Sequence, residues 1–191
     1  MSGFVSVGYF LFNLCFSLII FMLWARIALR YFRISSLHPI SHAIHSISNP
    51  LVLPFAMLIP VNKKQSSRYD WVSFAALVTT EVLKFILLSL LFLHGLMPVL
   101  YLFLFVIADL VAQPCNLLFY AILVRVIMSW VNPAWNHPIS DILRIVTEPA
   151  LRLGRRIIPD ISGFDFSPFL IMVVLKIITL FISGSLPLPL I

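Results

Sequence analysis

Apolar and polar positions along the chain fall into blocks rather than into the alternation of a strand. Phe4 to Ala25 holds no charged residue over 22 positions, and about 20 apolar residues suffice to cross the hydrocarbon core of a bilayer. Arg26, Arg30 and Arg33 follow, with Tyr31 and Phe32 among them, the cationic and aromatic mixture of a membrane–water interface. Residues 34–70 are too polar in parts, and too rich in proline, to span. Trp71 to Leu93 reads as a second span, interrupted by Glu81 and Lys84. A break at His94–Pro98 leads into an apolar run from Val99 to Trp130, whose 32 residues exceed what one span needs and place a kink at Pro114. A second polar, proline-rich stretch covers 132–165. Phe166 to Ile182 forms the last span, and a short tail follows.

The two proline-rich stretches are copies of each other. An offset of 99 aligns Arg26 with Arg125, the quartet His38-Pro39-Ile40-Ser41 with His137-Pro138-Ile139-Ser140, Pro50 with Pro149, and Ile59-Pro60 with Ile158-Pro159. Ser48 and Thr147 add a chemically similar pair. Beyond Pro60 the first copy is four residues longer, so that Asp70 meets Asp165 at an offset of 95. The chain therefore divides into a repeat over 1–94 and another over 95–191. Each repeat holds two spans, an even number. The copies then have the same orientation, related by an axis along the membrane normal. After each His-Pro, apolar residues recur at i, i+3, i+4, i+7: Ile40, Ala43, Ile44 and Ile47, then Ile139, Ile142, Leu143 and Val146. That is the stripe of an amphipathic helix lying in the interface, with Pro50 and Pro149 expected to end it. The predicted fold is an all-α membrane protein: four transmembrane helices in two parallel repeats, each with an amphipathic interfacial helix between its spans.

Composition agrees. The chain is 61% hydrophobic and 10% charged, with a mean hydropathy of +1.07, against about 45–50% and about 25% in soluble domains. A net charge of +6 fits anionic lipid headgroups better than nucleic acid, and no direct nucleic-acid binding is expected. Of the 13 Lys and Arg residues, all but Lys84 and Lys176 lie in or beside the two proline-rich stretches. The positive-inside rule puts those stretches in the cytoplasm and both termini outside. Cys15 and Cys115 lack metal-ligand neighbours and read as buried packing residues.

The same residues resemble the YggT family of small bacterial and plastid membrane proteins. The second copy carries the likeness in Arg125, Ser129-Trp130, His137-Pro138-Ile139, Glu148-Pro149, Arg155-Arg156-Ile157-Ile158-Pro159 and Gly163-Phe164-Asp165-Phe166-Ser167-Pro168. The first keeps Arg26, His38-Pro39-Ile40, Asn49-Pro50, Ile59-Pro60 and Asp70, and departs over 62–68. The resemblance implies a multi-pass inner-membrane protein, linked through its family to cell-envelope and division functions, osmotic tolerance and assembly of plastid membrane complexes. It supplies no catalytic residue.

Candidate chemistry is sparse. No Ser–His–Asp set, P-loop or paired-carboxylate arrangement stands out, so no enzyme and no cofactor are expected. His38, His42 and His45 share a helix face, but Arg144 takes the third place in the copy and argues against a common metal site. Arg152, Arg155, Arg156, Lys63 and Lys64 are expected to touch lipid headgroups or a partner. Three structural ion pairs are expected: Arg26–Asp70, Arg125–Asp165 and, across the repeats, Glu81–Lys176, with Lys84 as a local rival for Glu81. The functional expectation is a scaffold or assembly factor with a membrane-protein partner, or with further copies of itself. The rival is a transport or channel role in osmotic or ion homeostasis.

Overall fold

The computed structural model describes residues 3–58, 69–92, 95–131, 137–158 and 165–186. Six helices account for nearly all of them: α1 (Gly3–Tyr31), α2 (Pro39–Leu58), α3 (Trp71–Phe92), α4 (Val99–Val131), α5 (Pro138–Ile157) and α6 (Ser167–Gly184). Among them, α1, α3, α4 and α6 are long and apolar enough to cross a membrane. They mark the chain as a membrane protein. In α1 the helix outruns its apolar stretch by more than a turn, carrying Arg26 and Arg30 on its own backbone. It closes where Arg33 turns left-handed (φ 54°) and the Ile34 N–H donates to the Leu29 carbonyl.

The chain forms two compact units. The first comprises residues 1–37 and 41–110, the second 38–40 and 111–191, so α4 contributes to both. In the first unit α1 packs along α3. Leu23, Val52, Val72, Ala76 and Leu77 are buried together, with Ile19, Trp24, Ile27, Phe55 and Leu110 around them. Tyr9 and Phe12 meet the Phe92 ring at 5.2 and 5.9 Å. Phe85 of α3 stacks on Phe105 of α4 at 5.6 Å. In the second unit α5 packs on α6, and Ile122, Leu151 and Leu175 form the buried centre. Large side chains such as Phe10, Phe103 and Phe181 remain exposed, as lipid-facing residues should. Cys15 is also exposed and Cys115 only half-buried. The expectation of two buried cysteines is therefore corrected: an apolar side chain in a span loses nothing by facing lipid, so hydrophobicity there does not imply a core position.

The interfacial helices depart from the sequence reading in one respect. Neither proline ends its helix, for α2 runs through Pro50 and Pro54, and α5 through Pro149. Of the apolar stripes, Ile47 and Ile139 are exposed and Ile40, Ile44, Ile142, Leu143 and Val146 half-buried, while the buried positions are Ser41, Ser48 and Val52 in α2, and Ser140, Thr147, Leu151 and Gly154 in α5. With the offset of 99 these sets superpose: Ser41 on Ser140, Ser48 on Thr147, Val52 on Leu151. Association of helices in a membrane is not driven by apolar area, because lipid offers apolar atoms equally well. Small residues that permit close approach win the contact instead.

Gly154 shows how close that approach is. A Cβ placed there would lie 2.9 Å from Ser167 Cβ, 3.1 Å from Ile171 Cγ1 and 3.2 Å from the Ser167 carbonyl oxygen, all on α6. Phe55 occupies the corresponding position of α2, so the tight contact belongs to the second unit alone. Gly154→Ala is expected to cost about 1–3 kcal/mol, the range for overpacking, and Gly154→Leu to separate α5 from α6. Thermal unfolding of the purified variants in detergent checks this. An unchanged midpoint for both would remove the contact from the account.

Candidate functional site

Each interfacial helix is held by one arginine from the preceding span, in the same way twice. In the first unit Arg26 Nη1 donates to Ser48 Oγ (2.9 Å) and Asn49 Oδ1 (2.8 Å), and Ser48 Oγ donates on to the Ile44 carbonyl (2.6 Å). In the second, Arg125 Nη1 donates to Thr147 Oγ1 (2.7 Å), whose hydroxyl donates to the Leu143 carbonyl (2.6 Å). Arg125 Nη2 reaches Glu148 Oε2 at 3.1 Å. In copy two the guanidinium fork divides its donors between Thr147 and Glu148, whereas in copy one Nη1 alone serves both α2 acceptors and Nε is left towards Asp70. The lock sits one and two residues before Pro50 and Pro149. There the helix lacks a backbone donor.

Around this shared lock the copies differ, and the differences settle who pairs with whom. Arg26 Nε lies 3.8 Å from Asp70 Oδ2, with Arg30 Nη1 at 3.4 Å from the same oxygen. Asp70 is buried and also receives the Ser73 N–H (3.2 Å) and hydroxyl (2.8 Å), capping α3. His45 lies against this cluster. Burial, and next the positive charge of Arg26, hold its pKa below the usual histidine value.

The expected Arg125–Asp165 pair does not form. Arg125 pairs with Glu148, and Asp165 pairs with Arg155 Nε at 3.0 Å while accepting the Ser167 N–H at 2.9 Å. The cause is local. Copy one has neutral Asn49 where copy two has Glu148, so Arg26 keeps its charge for Asp70 whereas Arg125 is neutralised at once. Copy one also has Ala56 where copy two has Arg155, so only in copy two does Asp165 find a nearer cation. Glu148 is the hub: Arg155 Nη1 lies at 3.0 Å and Arg152 Nε at 3.5 Å from its other oxygen. Burial alone would raise the Glu148 pKa, but the hydrogen bond and charge of Arg125, joined by Arg155, outweigh it and hold it below the usual range. Asp165 is likewise lowered. Its burial is outweighed by the Ser167 hydrogen bonds and by Arg155, whose own pKa is raised chiefly by the hydrogen bond to Asp165.

Arg156 is exposed, and Arg152 largely so. Lys63 and Lys64 lie outside the described residues, as do Ile59-Pro60 and Pro159. The equivalents of Arg152 and Arg156 in α2 are Leu53 and Met57, both exposed. The far half of α5 is thus basic where that of α2 is apolar.

For Glu81 of the third expected pair, the first unit supplies the local rival. Glu81 is completely buried in the first unit, and its cation is Lys84 on the same helix, 3.8 Å away. Lys84 in turn hydrogen-bonds and pairs with Asp109 of α4. Lys176 is exposed on α6. The sequence reading passed over Asp109, although an Asp about ten residues inside an apolar run is as costly in lipid as the Glu and Lys it weighed. Lys84 takes the local partner and the α4 partner because both are reached at the same depth.

The CCB3/YggT family model matches residues 5–91 and again 98–186. "Uncharacterized protein in proC 3'region" of Vibrio alginolyticus is 31% identical over 168 residues, covering 87% of this chain and 88% of that one. "Uncharacterized protein YggT" of Escherichia coli K12 is 28% identical over 178 residues, covering 93% of this chain and 89% of that one. "Uncharacterized protein PA0392" of Pseudomonas aeruginosa is 32% identical over 68 residues, about a third of each chain. No solved structure matches. Two segments that each match the model, one over each copy of the arginine-locked helix, place the chain in the CCB3/YggT family.

Proposed function

We propose that the protein is a non-enzymatic scaffold of the inner membrane, serving assembly of envelope or division complexes through its two interfacial helices. The supporting observation is the repeated lock. Arg26 and Arg125 engage adjacent residues at equivalent positions of α2 and α5, fixing two helices whose outer faces stay exposed. A helix held this firmly, with Ile47, Leu53 and Met57 or Ile145, Leu153 and Ile157 on its free side, is a platform for a membrane-embedded partner. Arg152 and Arg156 add attraction for anionic headgroups on α5. The orientation follows from charge: both interfacial helices cytoplasmic, both termini outside. A transport role would draw on the charges inside α3 and α4, but Glu81 has no exposed surface through which a solute could pass.

Cysteines at the exposed positions Leu53 and Leu153 test this in cells. Both should be labelled only from the cytoplasmic side. Carrying a membrane-soluble photocrosslinker, both should capture the same membrane protein, with capture at Leu153 falling severalfold in Arg125→Ala. Lipid adducts alone at both sites would sink the scaffold, and labelling from outside would sink the orientation.

A further inference from the structure

Inside the first unit lies a charge imbalance that the lock does not involve. Glu81 is 0% exposed, Lys84 6% and Asp109 6%. Glu81 stands midway along α3, and Asp109 about ten residues into α4, so at about 1.5 Å per residue both lie some 15 Å deep, near the bilayer centre. Two carboxyl groups share one ammonium. Lys84 gives its hydrogen bond to Asp109 and only a 3.8 Å approach to Glu81. The Phe85 ring, 4.8 Å from the Lys84 nitrogen, closes another side.

Neither oxygen of Glu81 has a hydrogen-bond donor among the described residues. Asp109 is its other charged neighbour. Among the described residues of this unit, no further charge lies near Glu81. Between Gly3 and Ala25, α1 has none, and its Arg26 and Arg30 are engaged with Asp70, about 16 Å further along α3 at 1.5 Å per residue. In α2 the titratable groups are His42 and His45, the latter in the Arg26–Asp70 cluster.

A surplus carboxylate at that depth is fully buried and has no second cation among the described residues to offset its desolvation. The geometry points to a single-proton site here: Glu81 and Asp109 hold one proton between them, and Lys84 balances the remaining charge. The proton supplies the donor that Glu81 lacks, with the facing carboxylate as acceptor, and it belongs to the pair rather than to either residue. A metal cation suits the site poorly. Hard cations take about six oxygen ligands, and an ammonium group already occupies the middle. The copied positions do not repeat the arrangement, for Lys176, Thr179 and Phe10 stand where Glu81, Lys84 and Asp109 would.

Charge neutrality makes the idea countable. The number of protons held should equal carboxyl groups minus ammonium groups. Infrared spectroscopy of the full chain in liposomes at neutral pH reads protonated carboxyl groups directly through their C=O stretch. The wild type should show one. Glu81→Gln should show none, and Asp109→Asn none, because Lys84 then pairs with Glu81 alone. Lys84→Met should double the band. If the Lys84 variant does not accumulate, the two amide variants decide, since each keeps the shape of the site. A wild-type spectrum without the band overturns the proposal, as does a band that survives Glu81→Gln. A wild type lacking the band but stabilised against heat by sodium would assign the surplus charge to a metal ion instead.

Discussion

Lys84→Met should be the most damaging single substitution in the first unit. Among the described residues the Lys84 ammonium is the cation that contacts both buried carboxyl groups, and its loss removes that contact from each. Removing one member of a buried pair typically costs about 3–5 kcal/mol, because the survivor keeps its desolvation penalty. Replacing every member by an apolar group of similar shape is close to neutral by the same argument. Lys84→Met combined with Glu81→Met and Asp109→Leu should therefore recover most of the loss, although it deletes more of the site. Thermal unfolding in detergent micelles reads both. A triple variant no better than the single would mean that Lys84 acts through packing on Phe85 rather than through charge.

Arg26→Ala comes next in size, and its cost should exceed that of Arg125→Ala. Arg26 holds two acceptors on α2 and lies beside Asp70, a carboxylate almost without exposed surface. Loss of hydrogen bonds to a charged donor costs about 1.5–3 kcal/mol, and Asp70 then depends on the half-exposed Arg30. Arg125 leaves behind a different situation. Glu148 keeps Arg155 and Arg152 and is itself partly exposed, so the vacancy is shared and solvated. We expect about 2–4 kcal/mol for Arg26→Ala and about half of that for Arg125→Ala. Arg26→Lys should rescue little, since one ammonium on a flexible stem cannot serve Ser48, Asn49 and Asp70 together. The comparison needs only the protease sensitivity of α2 and α5 in membranes, at matched expression. Equal losses in both variants would show that the Asp70 contact adds nothing.

The parts of this molecule legible in the sequence are those fixed by the solvent and by duplication. Four apolar runs gave four spans because a backbone in lipid must satisfy its own hydrogen bonds, and a helix does so within one segment. The repeat placed Arg26 opposite Arg125 and Ser48 opposite Thr147, and those pairs became the locks. Ser41 and Ser140, already in the shared quartet, mark the buried face, which the apolar stripe does not report because beside lipid an apolar residue need not point inward.

Partner choice among charges was decided by the tertiary structure alone. Coulomb energy falls with distance and climbs as water is excluded, so a pairing depends on which groups share a dry spot to within an ångström or two. Sequence spacing carries that information only along one helix. It could offer Lys84 to Glu81, but it could not show that Asp109 of α4 arrives at the same depth. Nor could it show that Glu148 intercepts Arg125 before Asp165 is reached. The chain's own pattern determined where helices run and which residues recur. The packing of those helices determined which of the recurring charges meet.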